Sequence, residues 1–277
     1  MTVKHGLSIE EYHADQSAVS KSGLDDIERS PATFYALHLD PHRPPKPAPT
    51  PAMMLGTLVH CAVLEPDAFH SRYRIAPDCD RRTANGKAVY ANVEKTLEPG
   101  QQIISEDDYQ RAMRMSESIL KIEPLRQAFS SGHPEVSAYW TDEGTGAACR
   151  CRPDWAHEAG GGSIIVDLKT CLDASPEGFA KSVANWNYAG QAAYYSDGYA
   201  IASGKPVHAF IFAAVEKTYP FLSAAYMLTE EDLEAGRRWY KRQLSVYADC
   251  MASGKWPGYS DLIQPLTLPA WARKNEE

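Results

Sequence analysis

The sequence predicts an α/β protein in which helices cover a β-sheet. Five segments read as strands, because they are short, rich in apolar or alternating residues and mostly bounded by turn residues: 135–141, 147–154, 163–170, 207–215 and 221–227. Four longer segments have helical periodicity or helix-start signals: 53–65, 105–122, 188–203 and 229–251. The apolar runs of the last two strands suit the middle of a covered sheet, so we expect helices packed against it.

Composition places the chain among ordinary globular proteins. Its 277 residues are 44% hydrophobic and 23% charged, which is enough to bury a core as one domain, or as one domain with an appended lobe. No apolar run approaches the ~18–20 residues of a membrane span, and the N-terminus lacks a signal-peptide pattern. Six scattered cysteines suggest reduced thiols, so we expect a soluble cytoplasmic protein without a membrane partner.

Changes in composition divide the chain into three regions. Residues 1–52 are expected to form an N-terminal helical cap with a connector, since helix-start signals are followed by a run of prolines. Residues 53–255 hold the predicted strands and long helices and are expected to form the core. Residues 256–277 are rich in proline and tryptophan and are expected to pack irregularly on the body or on a neighbouring subunit.

The predicted strand 163–170 carries the clearest chemical signal. Alternation places Asp167 and Lys169 on one of its faces, where two charges on a half-buried strand are costly without a function. Three glycines at 160–162 supply a turn, so a hairpin would bring Asp154 beside both residues. Two carboxylates can hold a hard divalent cation, and a lysine beside it can position or activate a water. This is the outline of a Mg²⁺-dependent phosphodiesterase; the alternative is a surface salt bridge on an edge strand.

Two further pairs of residues flank this hairpin in the sequence. Upstream, Gly56 and His60 lie one turn apart on the first long helix, away from its buried stripe. By itself, such a histidine is usually an ordinary core or surface residue. Downstream, Gln191 and Tyr195 lie one turn apart on the third long helix.

Taken in order, these motifs resemble those of the PD-(D/E)XK nucleases, in particular their RecB-like branch. The resemblance rests on G-T-x-x-H at 56–60, the P-D and D-x-K elements at 153–154 and 167–169, and Q-x-x-x-Y at 191–195. A closer resemblance, to the RecE nuclease family (exonuclease VIII), covers nearly the whole chain. It is carried by Tyr12-His13, Val19–Ser22, His60–Pro66, Arg81–Thr83, Cys149–Asp154, Tyr195–Tyr199 and Leu268–Ala272.

The resemblance implies a fold and a metal site. The fold would be an α/β PD-(D/E)XK core, with a mixed central β-sheet flanked by helices. Asp154 and Asp167 would bind Mg²⁺, or alternatively Mn²⁺, with help from the carbonyl of Leu168, at one or two ions per active site. His60 would be a further ligand, and imidazole tolerates Mn²⁺ better than Mg²⁺. Glu65, which ends the same helix, is more of a supporting partner than a ligand.

The resemblance also implies roles for three side chains beside the cation. Lys169 would orient or deprotonate the attacking water and stabilise charge in the transition state. Gln191 and Tyr195 would orient the lysine, a water or a DNA phosphate; alternatively, the tyrosines of this helix form a packing face. Some RecB-like nucleases carry an iron–sulfur cluster, but the cysteines here lack the ligand spacing for one.

The activity that the resemblance implies is 5′-to-3′ degradation of one strand from double-stranded DNA ends. The product would be a 3′ overhang for DNA recombination by a single-strand annealing partner of the RecT type. A toroidal homo-oligomer, a tetramer, would encircle the DNA. Two alternatives remain: an endonuclease or single-strand-specific nuclease of the same fold, and a non-catalytic DNA-end-binding protein.

The charge distribution bears on where DNA would bind. The net charge of −8 argues mildly against a large open DNA-binding surface, but a local basic groove would suffice. The segment 72–95 carries six basic residues against three acidic ones, a local charge of +3. We expect Arg81, Arg82 and Lys87 to grip the DNA backbone or 5′ end, beside an Asn-Gly turn whose amides approach a phosphate. Arg152 is a further expected DNA contact; the alternative is a solvated loop.

Overall fold

The computed structural model describes residues 1–269. Its strands are β1 Thr2–Lys4, β2 Tyr73–Ile75, β3 Gln102–Ile104, β4 His133–Pro134, β5 Ser137–Thr141, β6 Ala148–Cys151, β7 Trp155–Ala159, β8 Gly162–Cys171, β9 Val207–Glu216 and β10 Ser223–Tyr226. Its α-helices are α1 Ile9–Ala14, α2 Lys21–Arg29, α3 Pro31–Phe34, α4 Pro51–Leu64, α5 Phe69–Arg72, α6 Ala84–Glu94, α7 Glu106–Leu120, α8 Glu123–Phe129, α9 Pro176–Asn185, α10 Tyr188–Ser203 and α11 Glu230–Ser253. Within this part of the chain, no helix is long and apolar enough to cross a membrane.

The four long helices confirm the predictions to within two residues at each end. Their starts follow from side-chain caps: Thr50 accepts a hydrogen bond from the amide of Met53, and Thr229 caps α11 in the same way. Helix α10 spans the predicted range; it begins after Asn187 and ends at Gly204, whose φ of 69° is the left-handed conformation that glycine favours.

The central sheet is mixed, as expected for this fold class. It has five strands in the order β10-β9-β8-β7-β4; β8 and β9 are parallel, and the other pairs are antiparallel. A second, antiparallel sheet has the order β1-β5-β6, and β2 and β3 form a small parallel pair. Strand β8 therefore lies in the middle of the central sheet, with a paired neighbour on each side.

The chain changes sheets between β6 and β7, which corrects the predicted strand 147–154. Strand β6 ends at Cys151 and pairs with β5, whereas β7 begins at Trp155 and pairs with β8. Pro153 suits this corner because it has no amide hydrogen to donate to a ladder. A second corner of the same kind joins β4 to β5. The amide of Glu135 at this corner donates to the carbonyl of Asp154 at the other, at 2.9 Å. Asp154 therefore lies at a corner beside β8, and not inside a strand.

The two faces of β8 separate two hydrophobic clusters. Ile165 belongs to the cluster formed with α10 and α11, whereas Val166 and Leu168 belong to the cluster formed with α4 and α7. The predicted apolar stripe of α4 is confirmed, since all its members are buried: Leu55, Leu58, Val59, Ala62 and Val63. Each leucine or valine of this stripe contributes roughly 1.5–3 kcal/mol when it leaves water. This packing holds α4 against the strand that carries the candidate site.

The predicted Asn-Gly turn of the basic segment is wrong. Asn85 and Gly86 lie in the first turn of α6, which is capped by Thr83. The amide of Gly86 donates to the hydroxyl of Thr83 at 3.0 Å, so it is not available to a phosphate. Glycine is required there because a Cβ would overlap the carbonyl of Asp80. The sequence pattern reveals neither this close backbone approach nor the start of the helix.

The segment after α11 contacts the N-terminal helices through Trp256. Residues 254–269 have no helix or strand, and all of them except Trp256 are exposed, so the packing expected of the tail stays a prediction. Trp256 stacks on Phe34 of α3, with ring centroids 5.4 Å apart. Ala270 to Ala272, the last residues of the resemblance, lie outside the described residues.

Candidate active site

Asp154 and Asp167 lie side by side at the start of the β7–β8 hairpin. Trp155 pairs with Val166 in the antiparallel ladder, so the next residues outward are the two aspartates. Asp154 Oδ2 accepts a hydrogen bond from the amide of Leu168 at 2.7 Å. The N–H and C=O of a strand residue point to the same side, so the Leu168 carbonyl also faces the gap beyond the end of β7. The predicted hairpin therefore does bring its two carboxylates together.

His60 reaches this pair from α4. Its Nδ1 hydrogen-bonds the Gly56 carbonyl one turn earlier, at 2.9 Å, and its Nε2 lies 3.0 Å from Asp154 Oδ2. The nearest atom to a Cβ placed on Gly56 is the hydroxyl of Thr170 at 3.6 Å, an ordinary contact. The contribution of Gly56 that the structure shows is its carbonyl, which orients the imidazole.

Charges in this buried corner are mutually dependent. Burial opposes the charged form of His60, but the Asp154 carboxylate beside it raises the pKa of His60 to about 9. Burial likewise favours neutral Asp154, yet the histidine lowers the pKa of that carboxyl below its usual value. The two groups form an ion pair that compensates for their loss of water.

Asp167 and Lys169 form the second ion pair of the site. Asp167 is 1% exposed, and its Oδ2 accepts a hydrogen bond from Gln191 Nε2 at 2.7 Å. Its Oδ1 contacts the ammonium of Lys169 but has no hydrogen bond of normal geometry. Burial raises the pKa of Asp167 to about 6 against the opposing effect of Lys169. For Lys169, burial is outweighed by Asp167 and Asp154, which raise the pKa of the ammonium.

Helix α10 supplies the remaining neighbours of the lysine. The ring centroid of Tyr188 lies 4.7 Å from Lys169 Nζ, a cation–π contact that the sequence gave no reason to expect. Gln191, one turn further, reaches Asp167 as described. Tyr195 instead packs against Phe210, with ring centroids 6.3 Å apart, and its hydroxyl makes no hydrogen bond within residues 1–269. The predicted pair therefore divides: Gln191 contacts the site, and Tyr195 is a packing residue beside it.

Glu135 is a site residue that sequence reasoning missed. It has a φ of 51° at the corner before β5, and its carboxylate accepts from Arg152 Nε at 2.6 Å. Burial, and then the charge of Asp154, raise the pKa of Glu135. With His60 and Arg152 it lines a cavity of about 690 Å³ next to the aspartates. In the sequence Glu135 reads as the first residue of a strand, and only the change of sheets turns it toward the site.

The structure separates the predicted DNA contacts from one another. Arg152 is occupied by Glu135 and by the carbonyl of Leu7, at 2.9 Å. Arg82 pairs with Asp80, with Nε 3.0 Å from Oδ1, and the guanidinium of Arg81 lies 3.7 Å from the ring centroid of Tyr90. Lys87 is exposed on α6. None of the last three residues lines the cavity beside the aspartates.

Glu65 is placed away from the two carboxylates. It forms a bidentate ion pair with Arg72, at 2.6 and 2.7 Å, on the wall of the same cavity. Since its oxygens already bind a guanidinium, it does not contact His60 in the way a supporting partner of that histidine would.

The donors fit a hard divalent cation by their chemistry. In the described part of the chain, no three histidine, cysteine or acidic side chains surround a common point. The reason lies in the pairing: Asp154 is bound to His60, and Asp167 to Lys169. Two carboxylates and the backbone carbonyl of Leu168 are nevertheless the oxygen ligands that Mg²⁺ and Mn²⁺ take. Asp167 Oδ1 is buried and contacts the Lys169 ammonium without a hydrogen bond of normal geometry, so it keeps a lone pair that such a cation would accept.

The fold and site together define the PD-(D/E)XK nuclease fold. Residues 20–268 match the family described as PDDEXK-like domain of unknown function (DUF3799), and the chain belongs to this family. No curated protein sequence matches the chain.

One solved structure has the same fold. A protein from Eubacterium rectale named "Putative exonuclease" is similar with a TM-score of 0.60 and 17% identity, over 95% of this chain and 97% of that one. A protein named SSO0001 is matched with a TM-score of 0.29 and 14% identity, over 69% of this chain and 86% of that one.

Proposed function

We propose that this protein is a metal-dependent nuclease that hydrolyses phosphodiester bonds. The observation that carries the proposal is the buried contact of Lys169 with Asp167, beside Asp154 and within reach of Gln191. A buried pair of charges in the middle strand of a sheet is costly for stability alone. It is the arrangement expected where a phosphate, a cation and a water must meet, and PD-(D/E)XK nucleases generally use divalent metals.

Each group of the site has a distinct task in this proposal. Asp154, Asp167 and the Leu168 carbonyl would hold the cation, and His60 has its Nε2 directed toward the same point. A bound cation would polarise the scissile phosphate and lower the pKa of a water. The ammonium of Lys169 orients that water or stabilises charge on the phosphoryl oxygens. Gln191 fixes the orientation of the Asp167 carboxylate through its hydrogen bond.

The finer proposal is a RecE-like exonuclease. It would degrade one strand of duplex DNA from the 5′ end, with Mg²⁺ or Mn²⁺, and leave a 3′ overhang for recombination by a RecT-type annealing partner. The resemblance of the motifs supports this choice, and so does the name of the similar E. rectale protein, "Putative exonuclease". A toroidal tetramer and a cytoplasmic location are parts of the same proposal.

Digestion of matched DNA substrates tests the activity. Linear duplex labelled at either 5′ or 3′ ends, covalently closed circular duplex and single-stranded DNA are incubated with Mg²⁺, Mn²⁺ or EDTA. We expect metal-dependent release of the 5′ label from linear duplex, with the circle intact. Cleavage of the circle would indicate an endonuclease, and digestion restricted to single strands a single-strand-specific enzyme.

Two variants tie the activity to this site. Asp167→Asn removes the central charge, whereas Glu158→Gln changes an acid on the same hairpin that pairs only with Lys205 at the surface, at 3.0 Å. We expect the first to be inactive and the second to be fully active. End binding without any cleavage by the wild-type protein would instead favour a DNA-end-binding protein.

A further inference from the structure

An exposed tryptophan lies just before α10, the helix that contacts Lys169. Trp186 is 67% exposed, although large aromatic side chains are normally well buried. It lies two residues before Tyr188, whose ring covers the ammonium of Lys169, and five before Gln191, which binds Asp167. Its backbone thus belongs to the segment that surrounds the candidate active site, but its side chain has no place in either hydrophobic cluster.

The backbone of Trp186 is held at both of its polar groups. Its amide donates to the carbonyl of Ser182 at 3.0 Å, which ends α9. Its carbonyl accepts from Lys21 Nζ at 2.9 Å. Lys21 is only 9% exposed and is itself paired with Asp25 at 2.9 Å. Burying an ammonium is costly unless it is paired and hydrogen-bonded, so this contact indicates that the position of the Trp186 carbonyl matters.

The next residue transmits that position to the active site. Asn187 has a φ of 49°, and its side chain caps α10 by accepting from the amide of Gly190 at 3.1 Å. Trp186 therefore ends α9, and only Asn187 separates it from α10, the helix that carries Tyr188. The indole is exposed but not on a flexible loop, which is the condition for a preformed contact surface.

We propose that the indole of Trp186 is a stacking platform for a base of the DNA strand whose phosphate lies at Lys169. This inference rests on the proposed nuclease function and names a contact for its substrate. Stacking accepts every base, because each has a π-face, and so it suits a nuclease that degrades any sequence. Lys181, exposed on α9 five residues earlier, adds positive charge to the same segment. This placement favours nucleic acid over a second copy of the chain as the occupant.

The test compares Trp186→Ala with Trp186→Phe, which keeps an aromatic face. The control is Tyr219→Ala, which removes another exposed aromatic side chain, 81% exposed on the loop after β9. Binding of a duplex with 2-aminopurine at its 5′-terminal or second position is followed by fluorescence in EDTA, where the cation is absent. Stacking on the indole quenches this base analogue, so the signal reports the contact itself.

We expect Trp186→Ala to bind about five- to a hundredfold more weakly and to lose the 2-aminopurine quenching. Trp186→Phe should retain most of both, and Tyr219→Ala should behave as wild type. With metal added, kcat/KM of Trp186→Ala should fall by a similar factor, whereas kcat at saturating DNA should fall less.

The outcomes separate this inference from the proposed function. If wild-type protein cleaves DNA and Trp186→Ala binds and quenches equally well, the stacking role is wrong and the nuclease proposal stands. If the variant changes only the oligomer mass measured by light scattering, Trp186 is a subunit contact and the inference is likewise overturned. If wild-type protein neither binds nor cleaves DNA, both proposals fail together.

Discussion

The Asp167–Lys169 centre and the basic segment 81–87 differ in where their contacts come from. Asp154 meets His60 from 94 residues away, and Gln191 reaches Asp167 across 24 residues. In the basic segment, Arg82 binds Asp80 two residues earlier, and Thr83 caps an amide three residues later. The first arrangement exists only if the whole fold exists, whereas the second is assembled within its own turn.

This contrast indicates which of the two regions carries the chemistry. The long-range contacts of His60 and Gln191 hold the buried carboxylates in one geometry, and such preorganisation is what transition-state stabilisation needs. Locally paired, exposed arginines contribute little to stability and are free to exchange partners. They are suited to a phosphate backbone whose position changes as DNA moves. Substitutions in the two regions should therefore differ in the size of their effects.

Removing one carboxylate should eliminate the activity. Asp154→Ala or Asp167→Ala should lower cleavage by at least ~10³-fold, because each deletes an anionic ligand from a site that needs both. Cleavage rates of end-labelled duplex, with circular dichroism as the control for folding, measure the effect. A folded Asp167→Ala variant that kept a tenth of the wild-type activity would remove the basis of the proposed site.

Lys169→Ala should be comparably inactive but should still bind the metal, since the ammonium acts on water or phosphate and not as a ligand. Calorimetric titration with Mn²⁺ separates this outcome from damage to the ligands. Loss of metal binding together with activity would mean that Lys169 holds Asp167 in place and has no chemical task of its own.

His60→Ala should lower activity strongly and raise the metal concentration needed for half-maximal cleavage. The histidine is the long-range partner of Asp154, and its Nε2 faces the proposed cation. Activity is measured over a series of Mg²⁺ and Mn²⁺ concentrations beside a thermal melt. Unchanged metal dependence with a lower melting temperature would make His60 a structural partner only.

Helix α10 offers a matched pair of substitutions. Gln191→Met removes the donor to Asp167 Oδ2 at nearly constant volume, and we expect activity to fall about 10- to 100-fold, as for a lost hydrogen bond to a charged group. Tyr195→Phe removes a hydroxyl without a partner in residues 1–269 and should change activity by less than about twofold. Equal effects of the two changes would contradict the division of this motif into a contacting and a packing residue.

The smallest effect is expected in the basic segment. Arg81→Ala combined with Arg82→Ala should weaken duplex binding and flatten its salt dependence by roughly one to two counterions. Cleavage at saturating DNA should change less, because neither residue lines the cavity beside the aspartates. Binding titrations from low to high salt measure the slope. A wild-type slope would show that the start of α6 is surface only, and the basic path would then be sought around Lys181 and Trp186.

Much of the architecture was readable in the sequence, and for local reasons. Helix caps such as Thr50, Thr229 and Gly204, and the apolar stripe of α4, are written in neighbouring residues, so the long helices were predicted to within two residues. The Asp154–Asp167–Lys169 group was predicted as well, because a glycine turn and strand alternation determine which residues of a hairpin meet.

Tertiary structure decided what depends on packing between distant segments. The change of sheets after Cys151 makes Asp154 a corner residue and turns Glu135 toward it, although both read as strand residues. Asn-Gly predicts a turn, but Asn85 and Gly86 lie in the first turn of a helix, where the carbonyl of Asp80 leaves no room for a Cβ at position 86. Likewise, only the buried contact with Lys21 shows that the backbone of Trp186 is fixed at the start of α10. Sequence pattern determines which residues share a face, whereas partners across the fold determine which of them are buried, paired or left open to a substrate.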